Sequence, residues 1–395
     1  MCAATVKRRF RDNAPLSVQQ KNIWMEHELY PDNVSYNMVS CLRLSGDLNV
    51  DAFKQSLSEI VQRHEVFRTT FSVSESEPRQ IIHQSNEVCV SETALDTLSQ
   101  EEQEAEIQQI IRRESRLPFN LEQGPLFRFI LLSLNKSEHV FLMTIHHIVM
   151  DGWSMGLFAN ELSALYETFC NDKPSPLPKA GIQYSDYAIW QNEKYKERQE
   201  LDSKYWNYII KDAAFGEFPT DYPRVFGKKG ESATRTITIS ADLTAKLKAF
   251  SRKERVTPFV TLMAGFLVTL HRYTGHETLL SGCYVAGRDL SELRELPGQY
   301  SNLTVIKTDF SGDPDFREVL KRTRRAVFDT YEHGYLLVSN LSEEVIAKPP
   351  GAPRTSAAKL LKMRAGCPRS IGFAITSEYQ TEENNLNSTL FPVIL

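Results

Sequence analysis

Two adjacent histidines and a carboxylate four residues beyond the second, His146-His147-Ile148-Val149-Met150-Asp151-Gly152, are the residues of this chain best suited to chemistry. Histidine exchanges its proton near neutral pH. The spacing admits three readings. One is a pair of packed histidines beside an unrelated Asp. A second is a metal site, but adjacent strand residues point to opposite faces, so His146 and His147 do not readily share one ion, and no third ligand lies near in sequence. No metal is expected. The third is acyl transfer: one histidine faces a cleft and manages the proton of an amine or hydroxyl that attacks a thioester. Backbone N–H groups around Gly152, at the start of a helix, would then stabilise the oxyanion. Asp151 fits a geometry-setting partner tied to a cation better than a base, because burying a carboxylate unpaired is costly.

The elements that must position these residues alternate between strand and helix periodicity, which predicts a mixed α/β fold. Ser17 with Gln20 forms a capping box opening a helix through Trp24, and Met38, Leu42 and Leu44 share one face of a strand over 38–44. Val50, Phe53, Leu57, Ile60 and Val61 recur at helical spacing. Residues 63–71 lead from that helix into a strand, and a charged helix covers 100–115. The apolar runs 127–134 and 139–145, joined at Asn135-Lys136-Ser137, predict a hairpin that delivers the histidines to a helix beginning near Trp153. A helix rich in Tyr and Trp is expected over 184–211. A second α/β half is predicted after a Gly- and Pro-containing linker at 214–230: strand 234–240, helix 241–254, and a buried helix over 258–270 with Thr257 as N-cap and Pro258 in its first turn. Strand 278–285, irregular chain to 301, strand 302–308, helix 313–331 and strand 371–379 follow, with 347–369 read as basic loop.

Composition narrows the function classes. The 46 Lys+Arg and 50 Asp+Glu give a net charge of −4, so no global basic field favours nucleic acid. At 395 residues and 41% hydrophobic content the chain can build full cores, and 18 Gly with 18 Pro exclude collagen-like or low-complexity readings. No apolar run reaches the ~18 residues a membrane span needs. Six scattered cysteines lack zinc-like spacing. Lys7-Arg8-Arg9 is followed by no apolar signal segment, so a cytoplasmic location is the expectation.

Several stretches, in order, resemble the condensation domain of nonribosomal peptide synthetases, within the chloramphenicol acetyltransferase-like superfamily. His146–Gly152 matches the HHxxxDG signature in full and continues into Trp153-Ser154. Leu16-Ser17 with Gln20 and Trp24, Arg63–Phe71, Tyr184–Gln191, Ala286-Gly287-Arg288 and Tyr300–Thr304 are similar to further family motifs. Gln19-Gln20-Lys21-Asn22 departs from the usual Ala-Gln-x-Arg, and Lys307 stands where Arg is usual. Gly334–Asn340 replaces the Gln-Asp-x-Pro-Phe-Glu motif, and a later Arg-Asp-x-Ser-x-Asn-Pro motif is missing.

The resemblance implies a V-shaped pseudodimer of two acyltransferase-like lobes with the active site in the central cleft. The implied layout is an extension at 1–15, an N-terminal lobe at 16–213, the linker, and a C-terminal lobe at 231–395 that is divergent or truncated after about 333. It implies peptide-bond formation in antibiotic and other secondary metabolism: the amine of a carrier-bound aminoacyl thioester attacks an upstream acyl or peptidyl thioester, of the type with an L-configured donor. No cofactor is bound; substrates arrive on the phosphopantetheine arms of donor and acceptor carrier proteins, with adenylation domains adjacent. The implied catalytic set is His147, His146, Asp151 and Gly152, with His147 central, His146 structural and Asp151 paired with Arg288. Trp153, Ser154, Tyr300, Asn302 and Arg68 are expected to line the cleft. Two alternatives are a non-catalytic docking platform for carriers or partner enzymes, and a stand-alone N- or O-acyltransferase with a soluble acceptor.

Overall fold

The computed structural model describes residues 6–9, 11–74, 76–85, 87–211, 221 and 237–334, and two strands at 372–378 and 388–394. The chain divides into two compact units. The first comprises Met1–Lys194, Ala286–Ser301 and Thr376–Leu390, the second Tyr195–Val285, Asn302–Ile375 and Phe391–Leu395. The division therefore falls within a helix at Lys194, and residues 286–301 go with the first unit. The expected linker at 214–230 lies outside the described residues apart from 221.

In the first unit, strand β1 (Asn13–Pro15) is followed by helix α1 (Val18–Leu29), which opens on the Ser17/Gln20 capping box. Strand β2 (Asn37–Ser45) turns Met38, Leu42 and Leu44 to the core. Helix α2 (Val50–Arg63) buries Phe53, Leu57, Ile60 and Val61, and a single 3-10 turn, Glu65–Arg68, joins it to β3 (Thr69–Ser74). Strands β4 (Glu77–Ile82) and β5 (Val90–Ala94) precede helix α3 (Gln100–Arg116). The hairpin β6 (Phe127–Asn135) and β7 (Glu138–His146) leads into α4 (Gly152–Phe169), and α5 (Tyr184–Lys211) begins in this unit. The strands form two sheets, ordered β1-β4-β3 and β2-β7-β6-β5, with only the β5–β6 pairing parallel.

Near the amino terminus Val6 is buried, Arg8 pairs with Glu65 and with Asp186 at 3.1 Å, and β1 pairs with β4. Burying Val6 and pairing Arg8 outweigh the tendency of a short polar terminus to fray. Strands β1, β4 and β5 are additional to the expected elements.

The second unit contains α6 (Ala241–Lys253), α7 (Pro258–Thr274), β8 (Thr278–Val285), β9 (Asn302–Asp309) and α8 (Phe316–Glu332). A sheet of order β10-β11-β8-β9 includes β10 (Gly372–Glu378) and β11 (Ser388–Ile394), each of which is divided between the two units; β11 pairs with β8 through Val393 and Ile394. Helix α7 buries Val260, Met263, Ala264, Leu267 and Leu270 against Ile306, Val319 and Val327. The expected strand 234–240 is not one where it is described. Residues 237–240 join no sheet, and Ile237 is 86% exposed, because alternation alone supplies no neighbouring strand to take the backbone hydrogen bonds. The loop 347–369 lies outside the described residues, as do residues 335–340 of the divergent motif.

Candidate functional site

The first unit's larger sheet ends at the histidines. Asn37 of β2 is the register partner of His146, and the pairing runs one step further, with His147 N donating to the Tyr36 carbonyl at 2.8 Å. The chain then turns, with Val149 N donating to the His146 carbonyl, and Ile148, Val149 and Met150 are fully buried. Asp151 is the N-cap of α4, accepting from Ser154 N at 2.9 Å. Helix α1 secures the turn as well, since Gln20 Nε2 donates to the Ile148 carbonyl at 3.1 Å.

Strand alternation separates the two imidazoles. His146 is 2% exposed, packed against Phe119, Tyr36 and His27, and its Nδ1 accepts from Ile148 N at 3.3 Å. Burial, reinforced by His27 and His147, pushes its pKa down to about 3, so it is neutral at physiological pH. His147 is only partly buried. Its Nδ1 lies 2.7 Å from the Met150 carbonyl. A carbonyl only accepts, so Nδ1 carries the proton and the neutral ring keeps its lone pair on Nε2.

The His146 environment has a consequence for stability. In the unfolded chain its pKa returns to about 6.5, so the unfolded state binds the extra proton as pH falls from about 6.5 toward 3, and stability drops in that window. Against His146→Asn, which keeps an acceptor near Ile148 N, wild type should lose about 2 kcal/mol more between pH 7.5 and pH 5. Urea denaturation at both pH values measures this; a pH-independent difference would contradict it.

Asp151 is buried, and so is Arg288, 137 residues away. Arg288 NH2 donates to Asp151 Oδ1 at 3.0 Å and to Ser154 Oγ at 2.7 Å, and NH1 donates to the carbonyls of Leu293 and Leu296. The guanidinium lies 4.1 Å from the Tyr300 ring centre. Asp151 Oδ2 accepts from Tyr300 N at 3.1 Å, and Asp151 N donates to the Gly298 carbonyl, itself within reach of the Ser154 hydroxyl at 3.0 Å. Residues 286–301 are thus stitched to the first turn of α4 by one carboxylate, one guanidinium and one hydroxyl.

Two glycines allow this approach. Gly287 has φ +64°, and a Cβ there would sit 2.3 Å from the Tyr300 carbonyl oxygen; at Gly298 it would sit 2.0 Å from the Tyr184 ring. Tyr184 cannot yield readily, being buried with its hydroxyl 2.8 Å from Ser17 Oγ and donating to the Gln299 carbonyl. Gly298→Ala should therefore destabilise the fold by about 1–3 kcal/mol. Gly156→Ala, within α4 and facing open space, should be neutral or stabilising by up to about 1 kcal/mol. Equal effects in a urea titration would overturn this contrast.

The remaining expected site residues differ in their surroundings. Arg68 is buried and spends its guanidinium on the carbonyls of Val61, Gln62, His83 and Gln84, binding the end of α2 to the end of β4. Ser154 and Tyr300 are fully buried in the Asp151 cluster. Asn302 belongs to the second unit, where it donates to the Gly334 carbonyl at 2.8 Å. Trp153 is 42% exposed and donates to the Arg294 carbonyl at 3.0 Å. Gly152, exposed at the first helical position, has nothing within 4 Å of where a Cβ would stand, so no packing among the described residues demands a glycine there. Sequence reasoning missed Tyr36, which offers its carbonyl to His147 and donates its hydroxyl to Glu26 at 2.7 Å, and Gly298. Among the described residues no three His, Cys, Asp or Glu side chains are grouped to hold a metal, and no helix is long and apolar enough to cross a membrane.

Comparison with known proteins adds independent findings. A family model described as "Condensation domain" matches residues 10–346. A linear gramicidin synthase protein of Brevibacillus parabrevis is 40% identical over 334 residues, covering 84% of this chain and 6% of that protein. Chondramide synthase cmdD of Chondromyces crocatus is 36% identical over 335 residues, 85% of this chain and 9% of that protein. The chain therefore spans a small fraction of the curated relatives it matches. Among solved structures, the SgcC5 protein from Streptomyces globisporus superposes with TM-score 0.68 at 26% identity, covering 81% of this chain and 73% of that one. The first condensation domain of the calcium-dependent antibiotic synthetase shares the fold, with TM-score 0.72, 22% identity and coverage of 86% and 78%.

Proposed function

The chain belongs to the condensation-domain family, and from that premise we propose that it joins an upstream carrier-bound acyl or peptidyl thioester to the amine of a downstream carrier-bound aminoacyl thioester. The amine nitrogen attacks the donor carbonyl, a C–N bond forms, the C–S bond breaks, and the donor arm leaves as a thiol that takes up the proton lost by the amine. The lengthened chain remains on the acceptor arm.

The observation that carries this reading is the close contact of His147 Nδ1 with the Met150 carbonyl. With Nδ1–H committed to the Met150 carbonyl, Nε2 is the nitrogen left to accept a proton from the attacking amine or to orient it. The first-turn N–H groups of α4 at Gly152 carry the positive end of the helix dipole and suit the developing oxyanion. Asp151, Arg288 and Ser154 hold that helix start in place, and His146 is a packing residue rather than a second base. Because an α-amine already titrates near neutrality, holding two thioesters in register contributes much of the rate.

The test is reconstitution: the purified chain with donor and acceptor carrier proteins, each loaded with a thioester, and detection of the amide on the acceptor arm by mass spectrometry. Amide formation above a no-protein control supports the reading. Carrier binding without product would favour a docking role, and transfer to a soluble amine or alcohol instead would favour a stand-alone acyltransferase.

A further inference from the structure

We propose that Arg128 is a positioning residue for His147, acting through Phe119 and His146; the inference rests on the acyl-transfer reading above and deepens it. Arg128 lies on β6, and its guanidinium grips the C-terminal end of α3. Its Nε donates to Glu114 Oε2 at 2.8 Å, and its NH2 donates to the carbonyls of Glu114 at 3.1 Å and Leu117 at 3.0 Å. A helix end leaves such carbonyls without donors of its own. Asn37 of β2 reaches the same helix end, donating to the carbonyls of Ser115 at 3.2 Å and Leu117 at 2.7 Å. Both strands flanking β7 therefore hold the end of α3, one of them through the register partner of His146 itself.

Phe119 completes the brace. The Arg128 guanidinium carbon stands 3.9 Å from its ring centre, and the ring packs edge-on against His146 at 5.9 Å and 81°. Arg128, Phe119 and His146 thus form one stack behind the strand end, and His146 is joined by a single peptide bond to His147. A tilt of the buried imidazole moves that peptide, and with it both hydrogen bonds of His147, to the Tyr36 and Met150 carbonyls. Charge is not needed here for packing alone: a buried ion pair is weak evidence for stability, and its surer use is to select one geometry. Because a displacement of about 1 Å at a reacting group can cost up to about 100-fold in rate, a brace at this place acts on turnover.

The test compares Arg128→Met with Arg43→Met, which cuts another tie between the sheet and α3, the exposed pair of Arg43 with Glu104. Two readouts are taken: steady-state amide formation from loaded carriers, and the imidazole ¹⁵N spectrum, with His147 assigned by its loss in His147→Asn. Arg128→Met should lower kcat about tenfold with KM for both carriers within about twofold, and should shift or broaden the His147 Nδ1–H signal. Arg43→Met should change neither, and Arg128→Lys, which keeps the cation but not the planar fork, should recover part of the loss. Unchanged kcat in a folded Arg128→Met protein overturns the proposal, as does a fall in kcat with an unaltered His147 signal. If Arg128→Met does not fold, Phe119→Leu, which keeps apolar volume but removes the ring edge, replaces it with the same criteria. If wild type itself makes no amide, the acyl-transfer reading fails while the His147 signal still decides the brace.

Discussion

His147→Ala is expected to cut amide formation by about 10²- to 10⁴-fold, the range over which a positioned proton-accepting side chain accelerates such a step. The ring is only partly buried, and its removal leaves the His147 backbone bond to Tyr36 in place, so the midpoint of thermal unfolding should move little. Carrier binding should also persist, since the loss concerns the reacting centre. His147→Asn separates the two roles of the ring. Its amide can still donate toward the Met150 carbonyl but offers no basic nitrogen where Nε2 stood, so it should be nearly as inactive as alanine. Asparagine activity close to wild type would mean that the side chain orients the turn and nothing more. Alanine activity equal to wild type would remove His147 from the mechanism altogether. Single-turnover assays with preloaded carriers keep product release from masking the effect.

The second large effect is expected on stability. Arg288→Ala leaves Asp151 as a buried carboxylate without its cation, and Asp151→Ala leaves the buried guanidinium without its anion and α4 without its cap. Breaking a buried pair from one side costs about 3–5 kcal/mol, large against the ~5–15 kcal/mol that hold an ordinary domain together. Each single variant should melt many degrees lower and lose activity with it. Arg288→Lys should fare little better, because an ammonium lacks the planar fork that spans Asp151, Ser154 and the carbonyls of Leu293 and Leu296 at once. The Asp151→Ala/Arg288→Ala double variant should lose less than the sum of the singles, with a coupling of about 1–3 kcal/mol. Strict additivity in the denaturation cycle would show that the two side chains do not depend on one another.

Long periodic elements were legible in the sequence. The bounds of α5 (Tyr184–Lys211) and β8 (Thr278–Val285) coincide with the apolar pattern, and the caps Ser17 and Thr257 stand where helices begin. Short strands were not legible: β1 has three residues and β5 is mostly exposed, so neither carries an alternation long enough to stand out. Ile237 and Ile239 alternate without joining a sheet, because periodicity reports a potential face and not a partner. At the site, His147, Asp151 and Arg288 could be picked out by residue type and motif order. The burial of Ser154, Tyr300 and Arg68 could not, since a hydroxyl, a phenol and a guanidinium read alike whether they face a ligand or backbone carbonyls. Gly298 gave no signal at all; its importance comes from the Tyr184 ring that occupies the place of a Cβ.

The membership of residues 286–301 in the first unit sets a timetable for synthesis. Asp151 leaves the ribosome 137 residues before the arginine that neutralises it, which at ~5–20 residues per second is a wait of roughly 7 to 27 seconds. During that interval α4 can form and its cap can close on Ser154, but the carboxylate must stay hydrated, because sealing it in without its cation is the costly state. The first unit therefore cannot finish its core as soon as its first 194 residues are made. Residues 195–285 of the second unit are translated before Arg288 can close on Asp151.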